Sequence, residues 1–317
     1  MKWLRLLILE NIYSVITMHS QAAKLKEMMK EKEEKIKNSF EKNEAEENGR
    51  STRTIAVASG KGGVGKSTFS SNFAYQLAKL GKKVLIIDSD IGMANLDIML
   101  GVQPKYDLGH LLRDDCSLDE AICEGPAGIK LLSGITGDDS FIDYDKDSIN
   151  KLINIGSRLE KDFDYLLIDL GAGASKSIVN TIRSVDELII ILTTEPTSVM
   201  DSYSLIKILS KHNYKRPLKM VVNQVDSKKD AQKTAKRMMS TIEKYLGIKS
   251  TLLGIVSSDK KISYAIRQQK PFSELFPERK AALDFEKIAR KISGEKKPSK
   301  GVKSYFYKMI GFFKGDT

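Results

Sequence analysis

The sequence predicts an α/β fold: a doubly wound, mostly parallel sheet of about seven strands covered by helices, with an amphipathic helical extension at each end. Three observations predict it. Short β-branched runs alternate with helical stretches from Thr54 to Ile292, a glycine-rich loop joins the first run to the first helix, and the composition changes before residue 51 and after residue 293. At 317 residues and 41% hydrophobic content the chain can bury one large core, which excludes small stapled and fibrous classes.

In chain order, residues 1–17 (MKWLRLLILENIYSVIT) resemble a signal peptide, but Glu10 and Asn11 interrupt the apolar run and the stretch is too short and polar to span a bilayer. They are expected to be a mis-annotated start, with translation beginning at Met18. Residues 18–50 are crowded with Lys and Glu, with Leu25, Met28, Met29 and Ile36 spaced as on a short amphipathic helix that runs into a charged linker. A plain charged tail fits the same composition. The domain proper is expected over 51–293. Its strand candidates are Thr54–Ala58, Lys83–Asp88, Ile129–Leu132, Tyr165–Asp169, Leu188–Leu192, Leu218–Val222 and Leu252–Val256. Helical spacing of apolar residues marks Asn72–Leu80, Ile149–Leu159, Ser198–Leu209 and Ala231–Leu246. Cys116 and Cys123 have the spacing of neither a redox pair nor a metal site, which fits a reducing cytosol.

Over residues 294–317, Val302, Tyr305, Phe306, Met309, Ile310 and Phe313 form one apolar helical stripe among lysines. Beyond the last sheet element it has no evident core to bury against. Such a helix can lie on an anionic bilayer or fold back on the domain. The net charge of +11 calls for an acidic partner, nucleic acid or membrane surface.

GKGGVGKS at Gly60–Ser67 satisfies GxxxxGK[ST] between a predicted strand and a predicted helix, the context of a phosphate-binding P-loop. Gly60, Gly62, Gly63 and Gly65, with Lys61 and Val64 between them, let backbone N–H groups turn toward phosphate oxygens. Lys66 is expected on the β- and γ-phosphates, Ser67 on Mg²⁺ and Thr68 on the α-phosphate. Two further strands end in carboxylates at the ligand-binding edge of the sheet, Asp88 with Asp90, and Asp169. Asp169 reads as a Mg²⁺-holding acid, and Asp90 as the group that orients the attacking water.

A lysine at Lys61, directly after the first loop glycine, marks a deviant P-loop, and from Thr54 to Ile292 the chain resembles the MinD/ParA family of SIMIBI P-loop ATPases. That resemblance implies an ATP-bound homodimer in which Lys61 reaches the phosphates of the other subunit. It implies that Asp88, Asp90 and Asn95 form one switch, with Asp88 near Mg²⁺, and that Asp169–Gly173 form the other. Asn223 matches the adenine-contacting position and Asp259 lies in the base-closing loop, where Ser257 stands in place of the family's common proline. LGAG at Leu170–Gly173 and TTEPTSVMDSYSLIK at Thr193–Lys207 look like the FlhG (YlxH) branch, which sets flagellar number. SQAAKLK at Ser20–Lys26 is similar to that branch's N-terminal motif, so Gln21, Ala22 and Leu25 are expected to contact and stimulate an FlhF-like GTPase. Flagellar basal-body or transcription regulators are further implied partners. The terminal stripe becomes an ATP-dependent anchor, making the protein cytoplasmic and peripheral on the inner face of the membrane. The alternatives are a MinD-type division-site regulator and a ParA-type DNA-partitioning ATPase, although the regular aromatic stripe makes nucleic acid the less expected partner.

Overall fold

A computed structural model describes residues 52–90, 95–134, 146–295 and 301–313, with 146–150, Ile153 and 310–313 described by backbone only. The strands are β1 (Arg53–Ser59), β2 (Val84–Ser89), β3 (Ile122–Glu124), β4 (Lys130–Ser133), β5 (Tyr165–Ala172), β6 (Glu187–Leu192), β7 (Leu218–Val225) and β8 (Ser250–Ser257). They form one sheet in the order β3-β4-β2-β5-β1-β6-β7-β8. Every neighbouring pair is parallel except β3–β4. The seven expected strands are all present. The eighth, β3, is a three-residue antiparallel edge strand that stops at Gly125 and Pro126, too short to leave a periodic signal.

The helices are α1 (Lys66–Lys79), α2 (Leu96–Leu100), α3 (Leu108–Leu112), α4 (Leu118–Ala121), α5 (Lys146–Asp162), α6 (Lys176–Ser184), α7 (Pro196–Lys211), α8 (Lys228–Leu246), α9 (Ile262–Arg267), α10 (Phe272–Leu275), α11 (Lys280–Gly294) and α12 (Gly301–Phe313). All seven residues of β1 are buried, as a central parallel strand covered on both faces requires. Right-handed crossovers then divide the helices between the two faces. The chain steps from β4 to β5 and from β5 through β1's neighbour β6 to β8 in one direction, so α5, α6, α7 and α8 share one face and one apolar cluster. The step from β1 to β2 runs the other way and puts α1 on the opposite face, where α11 joins it. Local signals set the ends. Ser227 Oγ accepts from Asp230 N at the start of α8, Gly247 (φ 64°) closes it, and Ala231, Ala235, Met238 and Ile242 are its buried stripe.

The terminal helix α12 overturns one expectation, because it does have a core to bury against. Val302, Tyr305 and Phe306 are 0%, 4% and 1% exposed, in the same cluster as α5 and α6. Gly156, in the middle of α5, makes this fit possible: a Cβ there would stand 3.1 Å from Lys303 Cα and from Phe306 Cδ2. Met309 packs partly on the same cluster and takes the Tyr305 hydroxyl at 3.4 Å. The side chains of Ile310 and Phe313, and the N-terminal positions Gln21, Ala22 and Leu25, lie outside the described residues.

At the amino edge of β1, β6 and β7 a buried ionic network holds the end of α11. Arg53 and Lys219 both pair with Glu187, Lys219 at 3.1 Å, and Lys219 also pairs with Glu295. Arg53 donates to the Ile292 carbonyl at 2.7 Å. This fixes the chain immediately before the segment that leads into α12.

Candidate nucleotide-binding site

The loop between β1 and α1 is shaped by two left-handed glycines, Gly63 (φ 80°) and Gly65 (φ 83°), the latter capping α1. A Cβ at Gly60 would stand 2.2–2.3 Å from the backbone of Asp201 and Ser202 in α7, so no larger residue fits there. Gly62 and Gly63 face open space. From behind, the end of β7 props the loop: Asn223 Nδ2 donates to the Val64 carbonyl at 2.8 Å, and Gln224 Nε2 to that of Gly63 at 3.1 Å.

Asp169, at the carboxyl end of β5 and fully buried, gathers the polar groups of α1. It accepts from Lys66 Nζ at 2.9 Å, Ser67 Oγ at 2.6 Å and Ser70 Oγ at 2.6 Å. Asp88 is its register partner on β2. Burial pushes the Asp88 carboxyl up from its ordinary range, against the pull of backbone N–H groups of Leu96, Asp90 and Asn95, and the neighbouring Asp169 adds to the rise. Asp90 reaches the segment expected to form the second switch: a Cβ at Gly171 would be 3.2 Å from its Oδ1. Lys61 stands on the rim, half exposed, its ammonium on Thr197 Oγ1 at 3.0 Å and Glu195 Oε2 at 3.4 Å at the start of α7.

The loop expected to close over the base follows β8, beside the end of β7, so Asn223 and Asp259 stand near adjacent strand ends. Asp259 accepts from Arg279 Nε at 2.6 Å and Lys261 N at 2.9 Å. Burial works to raise its pKa, but these bonds prevail and hold it below the usual carboxylate range. Where the family commonly has proline, Ser257 donates through both N and Oγ to buried Asp284, at 3.1 and 2.7 Å.

The structure thus gathers Gly60–Thr68, Asp88, Asp90 and Asp169 at one sheet edge. The sequence reading missed Ser70, Gln224, Glu195, Thr197, Arg279 and Asp284. Ser70 carried a signal, since it lies three residues after Ser67 on one helix face; the others meet the site only through tertiary folding.

The donor set fits a nucleotide with Mg²⁺. A hydroxyl and two carboxylates are the hard oxygen ligands that ion takes, and the open glycine loop offers N–H groups and a helix N-terminus to phosphate. A family model described as the CobQ/CobB/MinD/ParA nucleotide binding domain matches residues 55–272. The chain belongs to this family. Among similar proteins of the family, the antiactivator FleN of Pseudomonas aeruginosa is 31% identical over 240 residues, covering 76% of this chain and 86% of FleN. The flagellum site-determining protein YlxH of Helicobacter pylori is 30% identical over 304 residues, 93% of this chain and 99% of YlxH. In structure, Aquifex aeolicus MinD from its complex with MinC superposes with a TM-score of 0.61 at 28% identity, over 78% of this chain and 98% of that one. Pyrococcus horikoshii MinD, solved with Mg-ADP, gives 0.60 at 26%, over 77% and 96%. As a member of the MinD/ParA family, the chain is a P-loop ATPase and regulator, with ATP, ADP and Mg²⁺ as its ligands.

Proposed function

We propose that this ATPase is a dimerising, membrane-associating switch that regulates flagellar number or placement and stimulates an FlhF-like GTPase. The observation that carries the flagellar reading is the near end-to-end match to YlxH, over 93% of this chain and 99% of that protein. The 31% identity to FleN supports it.

Backbone N–H groups of Gly60–Gly65 and the Lys66 ammonium would hold the phosphates; Ser67, Asp88 and Asp169 would hold Mg²⁺. Held there, the ion would offset the negative charge of the phosphates. Lys66 is oriented by Asp169, and Asp90, lying against Gly171, aligns the attacking water. Asn223 and the Asp259 loop take the base. Lys61 leaves Thr197 and Glu195 to reach the other subunit's phosphates, so ATP occupancy becomes dimerisation. The dimer releases α12 from α5 and α6, and Val302, Tyr305, Phe306, Met309, Ile310 and Phe313 enter an anionic membrane; two such helices per dimer multiply a modest affinity.

Light scattering with ATP and Mg²⁺ tests the switch. The native chain is expected to double in mass, and Lys61→Ala to bind nucleotide yet stay monomeric. A Lys61→Ala protein that still doubles in mass with ATP defeats the proposal.

A further inference from the structure

Positive charge on the ATPase domain is concentrated in one place. Residues 196–250 hold twelve Lys and Arg against four Asp and Glu, whereas the rest of 51–295 holds 24 against 27. Seven of the twelve cations lie on one surface. On α8, Lys229, Lys233, Lys236, Arg237 and Lys244 fall within an arc of about 100°, directly opposite the buried Ala231, Ala235, Met238 and Ile242, over a length of about 22 Å. All five are exposed, and none forms an ion pair with a carboxylate among the described residues. The neighbouring α7 adds Lys207 and Lys211, exposed and without an ion pair among the described residues.

We propose that this α7–α8 surface is a second, electrostatic contact with anionic lipid headgroups, separate from the apolar stripe of α12. Three observations favour a bilayer. The cations are spread across two adjacent helices on a broad outward surface, whereas a strand of nucleic acid is usually gripped in a basic groove. The surface belongs to the helical layer that carries α12, whose apolar residues share a cluster with Leu205, Leu209, Met238 and Ile242. Finally, Tyr245, 66% exposed at the end of the stripe with the Lys244 ammonium 5.3 Å from its ring centre, is the kind of side chain that settles at headgroup level. The choice of membrane rests on the anchoring role proposed for α12; the contact itself does not need that helix.

The test is co-sedimentation of the full chain, with ATP, on phosphatidylcholine vesicles with and without phosphatidylglycerol, at several salt concentrations. Replacing Lys233→Gln, Lys236→Gln and Arg237→Gln together touches neither core nor nucleotide site, so melting temperature and ATPase rate should stay unchanged. Affinity for the anionic vesicles should fall on the order of a hundredfold, as the loss of three near-surface cations implies. A chain lacking residues 301–317 should keep a weak, salt-sensitive affinity for anionic vesicles that the triple substitution removes. Unchanged vesicle affinity in the triple variant overturns the proposal. So does triple-variant loss confined to binding of duplex DNA, which would make the surface a nucleic-acid site. If the deletion alone changes nothing, the anchoring role of α12 falls, and the triple variant still decides the α7–α8 surface.

Discussion

Gly156 decides how firmly the terminal helix sits on the domain, and enlarging it should loosen that helix selectively. In the docked state a Cβ at this position meets Lys303 Cα and Phe306 Cδ2 at 3.1 Å and Lys303 N at 3.3 Å, so the neighbours must shift by a few tenths of an ångström even for alanine. Alanine also removes the cost of about 1 kcal/mol that glycine carries inside a helix. These effects oppose each other, so Gly156→Ala should leave overall stability nearly unchanged. Gly156→Leu adds three more heavy-atom positions where α12 backbone already lies. Overpacking of this kind costs about 1–3 kcal/mol, equivalent to a roughly 5- to 150-fold shift from docked to undocked α12. Hydrogen exchange over residues 301–313 reads the shift directly, and anionic vesicles without ATP read its consequence. Exchange should quicken in α12 but not in β1 or β5, and membrane binding should lose much of its ATP requirement. A Gly156→Leu protein with native exchange in α12 and fully ATP-dependent binding would refute the docking account.

Glu187 is shared by two buried cations, so Glu187→Gln leaves Lys219 with Glu295 and Arg53 with backbone carbonyls, and should destabilise the domain by about 1–3 kcal/mol in urea unfolding. Asp284→Asn should loosen the loop after β8 that Ser257 ties to α11 and that is proposed to close over the base, raising the dissociation constant for ADP; isothermal titration is the check. The depressed Asp259 pKa contributes stability that is present above the ordinary carboxylate range, near pH 4, and is lost as pH falls through its lower folded value. Arg279→Gln should shrink that acid-limb loss in melting curves, whereas Asp88, raised by burial, contributes with the opposite sign and declines as pH rises.

Much of the site was legible because its parts are local in the chain. The P-loop is eight consecutive residues, and each strand-end carboxylate closes its own apolar run, so adjacency in sequence became adjacency in space. What was not legible joins distant segments. Thr197 and Glu195 meet Lys61 across more than 130 residues, and Asp284 reaches Ser257 across a loop and two helices. The terminal stripe shows the same limit in another form. Its periodicity correctly gave a helix with one apolar face, but periodicity carries no information about which surface that face meets. The decisive residue, Gly156, lies in a different helix and gives no sign in sequence beyond a helix interior that lacks a side chain. β3 escaped because three residues cannot display a period.

The ionic network at Arg53, Glu187, Lys219 and Glu295 pins the chain five residues before the terminal helix. Between Glu295 and Gly301 lie only five residues, which at full stretch span about 20 Å. A terminal helix that has left its groove therefore stays within a small volume around it, at an effective concentration of millimolar order or higher. Return is a first-order event, independent of how much protein the cell contains. In the proposed cycle the groove would compete with the bilayer for one ligand that never diffuses away, and the five-residue spacing, as much as the affinity of either site, would set how quickly the protein lets go of a membrane.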